Sequence, residues 1–169
     1  MIYLIWLLRI IHIVGGVFWV GSAITSFFFI GPAVNATGEA GQKFMGHLIN
    51  NMKISNRIAS AAGATILAGF ILFALDARAG ASWVRSSFAT GLSIGAGFAL
   101  IGFVFGILVG RINKAMAELG RQIQGKPAAA QLTQMQTLQK RHATYSRISG
   151  ITLILAVIFM AIARYLGAG

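Results

Sequence analysis

The stretch RIIHIVGGVFWVG, running from Arg9 to Gly21, decides how the chain is read. It is apolar enough to cross a membrane, yet it holds an arginine and a histidine three residues apart. At helical spacing His12, Gly16, Trp19, Ala23 and Ser26 share one face. That face is small or polar, which suits contact with other helices rather than with lipid. An ionisable side chain at lipid depth is costly to keep there, so His12 becomes the first candidate for a functional residue.

The composition supports the membrane reading. Of 169 residues, 57% are hydrophobic and 10% are charged, and the mean hydropathy is +0.78. With several apolar runs near the length of a bilayer span, this predicts a polytopic membrane protein, a single domain over 1–169, rather than a soluble core. The formal charge of +11 arises from 14 Lys plus Arg against three acids, Glu39, Asp76 and Glu118. The basic residues are not interleaved with aromatics on a water-facing surface, so the expected partner is anionic lipid and not nucleic acid. The absence of cysteine excludes disulfides, thiolate metal sites and cysteine nucleophiles. The opening residues lack the basic segment of a signal peptide and read as the start of the first helix.

Four helices follow from the hydropathy pattern, at about 2–30, 56–75, 86–124 and 128–166, with an amphipathic interfacial helix at about 41–53. The first is expected to stop at Gly31-Pro32, a breaker pair. In the second, Ser60, Ala64 and Ala68 form one small stripe, and Ala59 with Gly63 another. The third carries Gly91-x-x-x-Gly95 and then Gly102-x-x-x-Gly106-x-x-x-Gly110, a pattern for close helix packing. The turn Gly125-Lys126-Pro127 joins the third and fourth helices into an αα-hairpin that continues beyond the membrane. Its inner side carries His142, expected to be hydrogen-bonded within the hairpin, whereas His47 reads as a headgroup-level polar residue.

Charge sets the orientation. The connectors at 31–57 and 111–147 share a side and hold ten of the 14 basic residues. The positive-inside rule then makes both connectors, including the hairpin, cytoplasmic and both termini external, as expected for a multi-pass protein of a bacterial inner membrane. The fold class is an all-α, four-transmembrane-helix bundle, N-out and C-out. His12 falls in the outer half of the bilayer, level with Met160 near the end of the last helix. Asp76 lies at the same end and is read either as a solvated partner of Arg78 or as a partner of Arg9.

This topology limits the chemistry. His47 and His142 lie at the other side, so neither can share a haem with His12 in one chain. A haem would be held by His12 alone, by His12 with Met160, or by His12 and a residue of another chain. The competing role for His12 is a plain hydrogen bond to a backbone carbonyl or a hydroxyl within the bundle.

The segment His12-Ile-Val-Gly15-Gly16-Val-Phe-Trp19-Val-Gly21 resembles the first helix of a group of small bacterial membrane proteins, in which a histidine and small residues precede Trp-x-Gly. The group includes the CopD-like copper resistance family, the HemJ-type protoporphyrinogen oxidases and a related family of predicted membrane proteins of unknown function, which is the nearest in length and in its long basic loop. The resemblance to the HemJ type implies haem b on His12.

The expectation is therefore an integral membrane protein that binds haem b or a similar flat cofactor for electron transfer or redox chemistry. The cofactor-binding residues would be His12, which alone would ligate the metal, with Arg9, Gly16, Trp19 and Met160. The protein would act as a homodimer or within a larger membrane complex. The alternatives are a cofactor-free accessory or assembly subunit and a CopD-like metal transporter.

Overall fold

A computed structural model describes residues 2–123 and 125–166. Helix α1 (Ile2–Thr25) passes through a π-helical turn (Ser26–Ile30) into α2 (Gly31–Thr37). There follow α3 (Glu39–Asn50), α4 (Ile54–Ala77), the single turn α5 (Ala81–Val84), α6 (Ser87–Gln122) and α7 (Ala129–Ile162), which ends in a 3₁₀ turn at Ala163–Tyr165. No β-strand occurs among the described residues. Four helices are long and apolar enough to cross a membrane: Ile2–Thr37, Ile54–Ala77, Ser87–Gln122 and Ala129–Tyr165.

The boundaries of α4, of α6 and of α7 taken with its terminal 3₁₀ turn lie within two residues of those expected, save that the expected end of the third helix, Gln124, lies outside the described residues. The first helix differs more. It does not stop at Gly31-Pro32 but runs on to Thr37 and ends at Gly38, whose φ of +56° takes the backbone out of the helix. Pro32 sits in the first turn of α2, where a missing N–H costs little. The preceding π turn absorbs the misfit: the Gly31 N–H donates to the Ser26 carbonyl, five residues back. Breaker residues thus widen this helix instead of ending it. The short α5, unexpected from hydropathy, lies in the α4–α6 connector, where Trp83 packs edge-on against Phe73 and Phe88.

The bundle is built from two tightly packed pairs, α1 with α4 and α6 with α7. Sparser contacts join α1 to α7 and α4 to α6, which leaves α1 and α6, and likewise α4 and α7, across the diagonals. Trp19 fills the centre. It is 4% exposed, packs with Ala62 and Leu153, and meets the Phe103 ring across the diagonal, edge to face, at 6.0 Å between centroids. Much of the remaining apolar surface points outward: Ile13, Val17, Leu67, Phe70, Val104 and Ile151 are all at least half exposed. In water such a surface would aggregate. Against acyl chains it is the ordinary exterior of a spanning bundle, whose helices satisfy their own backbone polar groups.

The α6–α7 seam follows the glycine pattern. A Cβ on Gly95 would stand 2.8 Å from the Met160 side chain, and one on Gly102 would stand 2.7 Å from Leu153. The Ser149 hydroxyl donates to the Gly102 carbonyl across this seam at 2.9 Å. Of the expected stripes of α4 only Ala68 lies on the real contact face, which also buries Ala62 and Thr65, while Ala59, Ser60 and Ala64 are exposed and the space over Gly63 is open.

Candidate functional site

His12 lies on the face of α1 that meets α4. Its Nδ1 is 2.8 Å from the Thr65 carbonyl oxygen. A carbonyl only accepts, so Nδ1 carries the proton and donates it. In the neutral ring Nε2 is then left with its lone pair, and no described residue donates to it. A carbonyl that fixes the ring through one nitrogen and leaves the other free is the usual outer support of a metal-bound histidine. It is equally the hydrogen bond expected of a histidine with no ligand role.

The bond depends on a close approach of backbones. The imidazole lies on Gly69, where a Cβ would stand 2.7 Å from Cε1. One turn further along, a Cβ on Gly15 would meet the Thr65 hydroxyl oxygen at 2.6 Å, and Gly16 faces the Thr65 methyl group. Glycines on both helices therefore let α1 and α4 close until His12 reaches the α4 backbone. Thr65 Oγ1 is buried in this contact without a hydrogen-bond partner.

The other expected site residues lie as follows. Gly16 shares the α4 contact and Trp19 belongs to the core below it. Arg9 is exposed, one turn towards the N-terminus. Met160 packs on Gly95 in the α6–α7 seam. Seven residues separate His12 from Trp19 and Met160 from Leu153, and Trp19 packs with Leu153, so His12 and Met160 lie at a common level, roughly 10 Å from the core layer. Among the described residues Asp76 forms no ion pair with Arg9 or with Arg78, so neither expected pairing is made. His47 is exposed near the end of α3, and the half-buried His142 has no hydrogen-bond partner among the described residues. No group of three or more His, Asp or Glu side chains that could hold a metal ion occurs among the described residues.

Sequence reasoning missed Thr65 and Gly69. Their only signal is a spacing of four on α4 that mirrors the one between His12 and Gly16. It also missed a cavity of about 760 Å³ within the bundle, which opens at the opposite end from His12. The bundle opens there because α6 carries glycine without a close neighbour. A Cβ on Gly106 would come no nearer than 3.8 Å to the Ser149 hydroxyl, and one on Gly110 would come to 4.0 Å from Ser55.

The chain matches no known family model, and comparison with curated proteins and with solved structures gives no match.

Proposed function

We propose that this is a multi-pass protein of a bacterial inner membrane, with both termini outside and a cytoplasmic α6–α7 hairpin, that holds haem b or a similar flat cofactor through His12. Its work on this reading is electron transfer. The observation that carries the proposal is the bond from His12 Nδ1 to the Thr65 carbonyl, which leaves the Nε2 lone pair free on a ring already locked in place. Arg9, one turn outward, supplies a guanidinium for an acidic substituent of the cofactor. Gly16 and Trp19 act indirectly, packing α1 against α4 and the core so that His12 is held in place. A bound haem would supply a one-electron couple, and its potential would depend on what the chain presents around it.

The donor set fits a single axial ligand. Because Gly69 lies flat against the imidazole, this chain alone does not enclose a macrocycle at His12, and the reading takes the cofactor to lie between chains. Met160, at the same level, packs into the α6–α7 seam and would have to turn outward to serve as a second ligand from another copy. The test is the absorbance spectrum of the full chain purified from cells with ample haem. The expected result is a Soret band that His12→Ala abolishes and Met160→Leu shifts or leaves in place. A colourless wild type, or a band unchanged in His12→Ala, overturns the reading.

A second reading, a cofactor-free subunit of a membrane complex, is favoured by one observation. Gly21, Gly63 and Gly97 have nothing within 4 Å of a Cβ position, so no packing inside this chain accounts for small residues there. Open glycine surfaces on spanning helices fit partner helices. Gentle detergent extraction followed by size analysis distinguishes the readings: unlike subunits in fixed ratio support the second, and a coloured homo-oligomer supports the first.

A further inference from the structure

We infer that the 760 Å³ cavity at the hairpin end of the bundle is a binding site for a phosphate-headed membrane amphiphile. Its volume lies in the range of small-molecule sites. Its floor is apolar, formed by Trp19, Phe27, Ile58 and Phe103. Its mouth is basic: Arg111, Lys114 and Arg147 line it.

No carboxylate lines the cavity. Of the three acids in the chain, Glu39 pairs with Lys43, Glu118 pairs with Arg121, and Asp76 stands at the far end of α4. Three cations therefore converge on one cavity with no anion of the protein to match them. The Oδ1 of Asn113, another lining residue, is buried without a hydrogen-bond partner. Turned over, the same amide would present two donors to an acceptor in the cavity.

Arg111, Lys114 and Arg147 are all exposed, so their charged ends reach the surface while they line the cavity. Gly95 faces Met160 and Gly102 faces Leu153 across the antiparallel seam, so Arg147 is level with about Leu108, roughly one turn deeper in the apolar span than Arg111. Cations at the edge of a cavity with an apolar floor suit an anion attached to something apolar. Two guanidiniums and an ammonium suit the doubly charged oxygens of a phosphate, to which arginine bonds in bidentate fashion. The wide turn at Ser26–Ile30 carries Phe27 of that apolar floor, and the open faces of Gly106 and Gly110 keep the space clear for a chain.

The test is titration of dodecyl phosphate into the full chain in the neutral detergent dodecyl maltoside, followed by calorimetry. Arg111→Gln and Arg147→Gln are each expected to weaken binding at least about tenfold, with Arg78→Gln, at the opposite end, unchanged. Inorganic phosphate is expected to bind far more weakly than dodecyl phosphate. No binding of dodecyl phosphate, equal binding by wild type and both cavity variants, or equal weakening by Arg78→Gln overturns the inference. Inorganic phosphate binding as tightly as dodecyl phosphate overturns the amphiphile in favour of a free anion.

Discussion

A single backbone carbonyl sets the chemistry of His12. Since Thr65 contributes its carbonyl and not its side chain, Thr65→Val is expected to leave the Nδ1–H tautomer intact, as read from the imidazole ¹⁵N shifts of labelled protein. Gly69→Ala is expected to do the opposite. Its methyl group would stand 2.7 Å from Cε1, so the ring must move off the α4 backbone at a cost of about 1–3 kcal/mol. Unfolding of the reconstituted protein in sodium dodecyl sulfate measures that cost, and the ¹⁵N shifts report the lost bond. His12 itself could be picked out in the sequence because a titratable group interrupts an apolar run. Its acceptor could not, because every residue of α4 carries a carbonyl and only the helix register decides which one is met. The same limit applies to Asp76: charge alone offered two partners, and the fold gives it neither.

On the scale of the helix, identical glycines do different work. Gly102 faces Leu153 at 2.7 Å, whereas Gly106 faces nothing closer than 3.8 Å. Gly102→Ala should therefore destabilise by about 1–3 kcal/mol, while Gly106→Ala should fall within about 0.5 kcal/mol of wild type. The two midpoints in sodium dodecyl sulfate decide it. Ser149→Ala removes the hydroxyl bond to Gly102 and should cost about 0.5–1.5 kcal/mol in the same assay. The repeat of glycine every fourth residue announced a packing seam but could not say where the seam opens, because that depends on the neighbouring helices. The first helix carries a related lesson. Gly31-Pro32 reads as a stop, and the π turn at Ser26–Ile30 shows that a local change in helical pitch can carry the chain through it. At the surface, the Glu39–Lys43 pair ties the first two turns of α3 together. Its partner's bond holds the Glu39 carboxyl below its ordinary 4.5 and raises Lys43 above its ordinary 10.5. The Glu39 contribution is thus present above the ordinary carboxylate range and is lost as the pH falls through the lowered value. The protection of the Gln42 and Lys43 amides, taken relative to the intrinsic exchange rate at each pH, should fall there, and only slightly, because both side chains are exposed.

For the molecule as a whole, the four spans were plain in the sequence because lipid imposes both length and composition on a crossing helix. The pairing of α1 with α4 and of α6 with α7 was not, since hydropathy says nothing about which helices are neighbours. The proposed orientation can be tested cleanly, as the chain has no cysteine to remove. Single substitutions Asn50→Cys and Thr137→Cys should resist a membrane-impermeant maleimide on intact cells and react after permeabilisation. Ala79→Cys should react without it; the reverse pattern would invert the topology.

The uneven packing of the bundle also has a mechanical consequence. Each pair closes over its own glycine seam, while the pairs meet through the Trp19 layer and sparser contacts around it. Pulled from its C-terminus out of a bilayer by a cantilever, such a molecule should leave in two strokes. The first draws out α7 with α6 as one unit, and the second, after a pause, draws out α4 with α1. Trp19→Ala should shorten that pause and leave the force needed to part each pair unchanged.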